Sequence, residues 1–298
     1  MAKKKAKKET GFSPKIIGDM ILHGIDGKKS NIITDLTSGI VYIYKNGYYD
    51  SAHSNAMIEA IIDRLLDCSV TNNKIKEIFG YIKRHTYKDI QELKQHNNYI
   101  CLNNCLLNVD TLETRPHSPD VFVTHKIDVF YDKDIDMTEW YKYIESLQPD
   151  KAKRDTLQEC CGNIFDLNNY TLKKLVWLNG PKNSGKTTFF NIFIDFVGED
   201  NVSSLSVNQL SEEHTNITIY EKIINIRSEI PVTIKLKNAE IIKEYTGGDR
   251  IHFNPKFQQP FDARPTAKLF FADNPPSIAI AGGVLMLLIS PAYEPFSV

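Results

Sequence analysis

Apolar residues recur along this chain with two periods, and the places where the period changes outline its elements. After a polar start, IIGDMILHGI reads as a short helix or strand, and VYIYKNGYYDS as a strand and turn with Asn46-Gly47 at the bend. NAMIEAIIDRLLDCS and NNKIKEIFGYIKRHTY place apolar residues three and four apart, which predicts two amphipathic helices. NNYICLNNCLLNVDTLETRPHSPDVFVTHKIDVFYD breaks short apolar runs with Asn, Asp and Pro, the mark of strands joined by tight turns. Helical spacing returns in DMTEWYKYIESL and KRDTLQECCGNIFDL.

From Thr171 strands and helices alternate. KKLVWLNG is a buried strand, TTFFNIFIDFVG a helix stopped by Gly198, and KIINIRSEIP and AKLFFADNPP are further buried strands. The pattern predicts a mixed α+β domain over residues 13–168 and an α/β domain with a central parallel sheet over residues 169–298. No internal repeat is visible. The apolar run from Ile278 to Ile289 has about half of the roughly 20 residues that a membrane-spanning helix needs.

Charge and cysteine content narrow the function classes. The formal net charge is −1, yet Lys3, Lys4, Lys5, Lys7 and Lys8 crowd the first few residues. This basic stretch, residues 1–12, reads as a disordered tail that either solvates the terminus or adds non-specific affinity for nucleic acid. A polar segment follows it instead of an apolar signal core, so the expected location is the cytoplasm. Cys68, Cys101, Cys105, Cys160 and Cys161 form neither a disulfide framework nor a zinc knuckle, and they are expected to be reduced core thiols.

The sharpest chemical signal is Gly180-Pro181-Lys182-Asn183-Ser184-Gly185-Lys186-Thr187, which fits G-x-x-x-x-G-K-[ST] between a strand and a helix. Thr188 follows. Such a loop cradles the phosphates of ATP with its amides, sends Lys186 to the β- and γ-phosphates, and offers the Thr187 hydroxyl to Mg²⁺. The bland alternative is a glycine-rich turn. A second acid is needed to position Mg²⁺ and polarise water, and Glu229 ends the strand of IINIRSE; a surface glutamate is its bland reading. Asn274 closes the third strand, where it suits contact with the γ-phosphate or attacking water, although a turn residue before Pro275-Pro276 would look the same.

RIHFNPKF sets Arg250, His252 and Lys256 beside Phe253 and Phe257, pairing cations for phosphates with rings for bases. A solvated basic turn with its aromatics in the core is the competing reading.

The P-loop, the acid-ended strand and then TGGDRIHFNPKFQQPFDARPTAKLFFADN occur in an order that resembles the superfamily 3 helicases of the phage and plasmid primase type, a family shared with poxvirus-like nucleoside triphosphatases. YIYKNGYYD and LNNCLLNVDTLETRPHSP look like the segment preceding the helicase in those proteins, with Cys105 where glycine is expected. The resemblance spans roughly Val41 to Asn274. It implies an AAA+-like P-loop ATPase core and a hairpin around Lys256 and Phe257 that projects into the channel of a hexameric ring. It also implies single-stranded or forked DNA as partner, a primase or other replication protein nearby, and no membrane.

The resemblance fails after Asn274. The family continues with paired arginines, one acting as a finger on the neighbouring subunit's ATP, whereas this sequence has no arginine after Arg264. Either the tail is altered, or Arg227 or Arg250 replaces the finger. No segment ahead of Ile16 is long enough for the primase domain of longer relatives. Three readings follow: an ATP-dependent DNA helicase or translocase in replication, an ATP- and DNA-binding module with little hydrolysis, and a P-loop kinase of small metabolites. The last is disfavoured because no lid-like arginine cluster follows the P-loop.

Overall fold

The structure is a computed structural model that describes residues 13–24, 29–66, 70–95, 98–228, 236–256, 259–273 and 284–288. Two compact units emerge, one of residues 1–97 and 117–124, the other of residues 98–116 and 125–298.

In the first unit the opening apolar run resolves as a helix, α1 (Pro14–His23), with Pro14 in the first turn, where its missing N–H is harmless. A four-stranded sheet follows, ordered β3-β2-β1-β4, from β1 (Ile32–Asp35), β2 (Val41–Lys45), β3 (Tyr48–Asp50) and β4 (Tyr87–Lys88). Asn46 (φ 51°) and Gly47 (φ 96°) both take left-handed conformations, the requirement of a two-residue hairpin turn matching the twist of its strands. Helices α2 (Ser54–Leu65) and α3 (Asn72–Thr86) bury Ile58, Ile62, Ile78 and Ile82 against Ile21, Val41 and Ile43. A short helix, α4 (Ile90–Gln95), closes this part of the chain.

The second unit begins earlier than the boundary expected near Asn168. An antiparallel sheet of β5 (Tyr99–Cys101), β6 (Leu106–Asn108) and β7 (Thr114–Arg115), then α5 (Thr138–Leu147) and α6 (Lys151–Gly162), belong to it. The reason is packing: Ile100, Leu107, Ile144 and Leu157 share one buried cluster with Val176, Phe190 and Phe270. Asp150 caps α6 by accepting from the amides of Ala152 and Lys153.

The centre of this unit is a five-stranded sheet whose ladders are all parallel, ordered β14-β8-β13-β10-β9. Its strands are β8 (Leu175–Asn179), β9 (Val202–Ser203), β10 (Ile224–Ser228), β13 (Lys268–Asp273) and β14 (Val284–Leu288). β8 is buried along its whole length, as a strand covered on both faces must be. Helix α7 (Lys186–Val197) follows it and lays Phe189, Phe190, Phe193 and Val197 into the core. Asn225 is fully buried on β10, yet its amide oxygen accepts from Ser203 Oγ and the Leu205 amide, and its NH2 donates to the Leu205 carbonyl. That satisfied side chain fastens the two-residue strand β9 to the sheet. Helix α8 (Leu236–Gly247) leads into a hairpin of β11 (Ile251–Phe253) and β12 (Phe261–Ala263).

The apolar run after Pro276 supplies β14, which pairs beside β8, so the segment where the family resemblance breaks down still contributes a strand. Among the described residues no helix is long and apolar enough to cross a membrane, and no group of three or more His, Cys, Asp or Glu is placed to hold a metal.

Candidate functional site

The loop from Gly180 to Gly185 joins the C-terminal end of β8 to the first turn of α7. In an open parallel sheet that edge is where ligands are received, because helix N-termini and strand ends converge there. The loop turns through Asn183 (φ 62°) and Gly185 (φ 87°), so its backbone visits the left-handed region twice. Gly185 has a second reason to be glycine: a Cβ on it would lie 2.9 Å from Leu147 Cδ1. Leu147, at the end of α5, is the wall behind the loop.

Lys186 is only 9% exposed. Its ammonium donates to the carbonyls of Gly180 (2.7 Å) and Pro181 (2.8 Å) and to Ser184 Oγ (3.1 Å). Burial pushes its pKa below the usual lysine range, and the charge of Asp273 pulls it partly back. Asp273 is also 9% exposed and ends β13, level with Asn179 at the end of β8. Lysine and carboxylate therefore flank one strand-edge site. Pro181, Lys182, Asn183, Thr187 and Thr188 are exposed around it, Thr187 presenting its hydroxyl in the first turn of α7. This arrangement can take a chain of phosphates across the loop amides and hold a divalent cation between Thr187 and a carboxylate.

Glu229 and Asn274 lie outside the described residues. β10 ends at Ser228, level with Ala272 on β13. Motif spacing singles out Asn274 and not its neighbour Asp273. Its signal was the buried run Leu269–Ala272, which makes the next residue the one at the sheet's edge.

The hairpin corrects one expectation. Phe253 does not offer its ring to a base: it is 0% exposed, with ring centroids 5.4 Å from Tyr220 and 5.7 Å from Phe261. Alternation along β11 buries Ile251 and Phe253 and turns His252 outward. On the exposed face Arg250 donates to the Asp262 carbonyl (3.0 Å) and His252 Nδ1 lies 2.8 Å from Asp262 Oδ1. Lys256 is exposed near the tip, and Phe257 lies outside the described residues. The arm is tied down by Asn216 Nδ2, which donates to the His252 carbonyl (2.9 Å), and by His214 Nδ1, 2.6 Å from the Asn254 carbonyl. Arg227 reaches the Ser204 carbonyl at 3.4 Å.

At the root of the arm Gly248 takes φ 74°, and a Cβ there would fall 2.3 Å from Tyr170 Cγ. The Tyr170 hydroxyl donates to the Pro265 carbonyl (3.2 Å), so one ring touches the chain on both sides of the hairpin. Tyr170 explains why TGGD needs its second glycine.

Comparison with known proteins agrees with this architecture. Residues 24–149 match the family described as D5 N terminal like, and residues 178–281 match a family of unknown function, DUF5906. An apo structure of the NrS-1 C-terminal region shares the fold with a TM-score of 0.54 at 12% identity, covering 89% of this chain and 61% of that one. The A form of the same region gives 0.53 at 11% identity with the same coverage. The chain shares the fold of those structures, and its first half is similar to the D5 N terminal like family. The chain spans 61% of the length of those solved structures. No curated protein matches it at a significant level.

Proposed function

We propose that this module is an ATP-driven motor that moves on DNA during replication, acting as a ring oligomer with ATP held at the Gly180–Thr188 loop. The observation carrying the reading is the placement of Lys186 and Asp273 at the same end of an all-parallel sheet, with a hairpin arm inserted between β10 and β13. ATP phosphates would lie over the loop amides from Gly180 to Thr188, and Lys186 would exchange contacts with its own loop for the phosphate oxygens. Mg²⁺, held by Thr187 with Asp273 or Glu229, would supply charge neutralisation of the phosphates. Glu229 would orient water and Asn274 would read the γ-phosphate. Because β13 carries Asp273 at one end and continues from the hairpin at the other, a small shift on phosphate loss would pass along one rigid strand to Arg250, His252, Lys256 and Phe257 on the arm.

The test is steady-state ATP hydrolysis with and without single-stranded DNA. The motor reading expects DNA-stimulated turnover that Lys186→Ala and Glu229→Gln each abolish and that Lys256→Ala uncouples from DNA.

A second reading, an ATP- and DNA-binding regulatory subunit with little hydrolysis, is favoured by the arginines. The guanidiniums of Arg227 and Arg250 bind carbonyls of their own chain. A finger in trans is worth about 10³–10⁵ in phosphoryl-transfer rate. ATP binding that depends on Lys186, with turnover no higher than that of Glu229→Gln, would select this second reading.

A further inference from the structure

A small cleft opens at the end of the sheet opposite the P-loop, where β8 and β13 begin. It holds about 20 Å³, room for a water or a single oxyanion oxygen but not for a nucleobase. Three lysines line it, Lys173, Lys174 and Lys268, and no carboxylate does.

Its hydroxyls are committed as donors to carbonyls: Tyr170 to Pro265, Tyr245 to Leu210, Thr246 to Ile242 and Thr266 to Lys222. The lysines are the cationic donors that the cleft offers a guest, beside the side-chain amides of Asn163 and Asn169. Lys268 Nζ gives one of its three protons to the Asn169 carbonyl (2.6 Å) and stands 5.1 Å from the Tyr170 ring centroid, which leaves two donors. Lys173 sits at φ 47°, a left-handed conformation that Gly or Asn would adopt at less cost. Burial drives Lys268 down to about 8, against the pull of Asp166, so its charge is incompletely compensated by the protein.

Tyr170 links the cleft to the hairpin, touching Gly248 before β11 and Pro265 after β12. A strand engaged by the arm would pass this cleft at the arm's root.

We infer that the cleft seats a backbone phosphate of the nucleic-acid strand that the hairpin engages, held by Lys268, Lys173 and Lys174. The inference rests on the DNA-motor reading and adds a second contact to it. It also separates two functions in space. The five residues of β8 put about 16 Å between these lysines and the P-loop, so cleft variants should leave ATP binding alone.

The experiment is fluorescence anisotropy of an oligo-dT strand against salt, for wild type, Lys173→Ala/Lys174→Ala, Lys173→Arg/Lys174→Arg and Lys268→Gln, beside binding of a fluorescent ATP analogue. Losing one phosphate contact should flatten the log–log salt slope by about 0.7 and weaken binding about five-fold at 0.1 M salt. The arginine pair should restore both, and affinity for the ATP analogue should stay at the wild-type value. An unchanged slope in both the alanine pair and Lys268→Gln, with wild type binding DNA, overturns the inference while sparing the motor reading. Wild type that binds the analogue but no DNA overturns both.

Discussion

Lys268→Met is the substitution whose effect can be worked through most fully. The ammonium is held at the start of β13 by the Asn169 carbonyl and the Tyr170 face, in surroundings that lower its pKa from 10.5 to about 8. Below pH 8 the lysine is charged whether the chain is folded or not, and the folded state bears the full penalty of burying the charge. Between pH 8 and 10.5 the unfolded chain binds more protons than the folded one, so stability rises with pH; above 10.5 the penalty is gone. A gap of this size corresponds to about 3 kcal/mol, and screening by solvent at a partly exposed side chain trims that to about 2–3 kcal/mol. Methionine keeps the length and removes the titration. The assay is urea unfolding of both proteins from pH 7 to pH 10.5, read as the difference between them, in which groups common to both cancel. Wild type should gain on the variant by roughly 1 kcal/mol at pH 9 and about 2 kcal/mol by pH 10. A difference that stays flat across this range would refute the account of a desolvated Lys268.

Gly248→Ala should destabilise the fold by about 1–3 kcal/mol through the Tyr170 clash and the left-handed backbone, and the loss should shrink but persist in a Tyr170→Ala background, as denaturant midpoints would reveal. Gly185→Ala should weaken binding of a fluorescent ATP analogue, with Leu147→Ala restoring part of it, because the shorter side chain removes the 2.9 Å contact but not the strain at φ 87°. Phe253→Ala should cost about 3–5 kcal/mol in thermal or urea unfolding, while Lys256→Ala leaves stability within about 0.5 kcal/mol; equal losses would mean the ring is not in the core. Cys101 and Cys160, pushed up to about 12 and about 11 by burial, should resist alkylation at pH 7.5 until the protein is unfolded.

Local chemistry was the part of this molecule written plainly in its sequence. The P-loop combines a buried strand, two left-handed positions and a helix start, all within one short window, and Asn46-Gly47 announces its hairpin in the same way. What depended on partners far along the chain was harder to read. Residues 98–116 show nothing locally of their membership in the P-loop unit, because Ile100 and Leu107 meet Val176 only after folding. β4 is two exposed residues whose pairing with β1 is set by the helix before it. The aromatics of RIHFNPKF fit a stacking surface or a core equally well by composition, and only the outward His252 between buried neighbours decides for the core at Phe253. Asp273 gained its meaning from the register of β13 beside β8, which no single strand encodes.

The order of the parallel sheet also constrains how the chain is made. β8, which carries the P-loop, is the first of its five strands to leave the ribosome, yet its two ladder partners, β13 and β14, are the last. Until they arrive, Leu175–Asn179 is a bare apolar edge, the kind of segment that pairs with other chains. The sheet that supports the P-loop is therefore completed late, and a nascent chain halted before Val284 would carry a complete P-loop sequence on a strand open to aggregation.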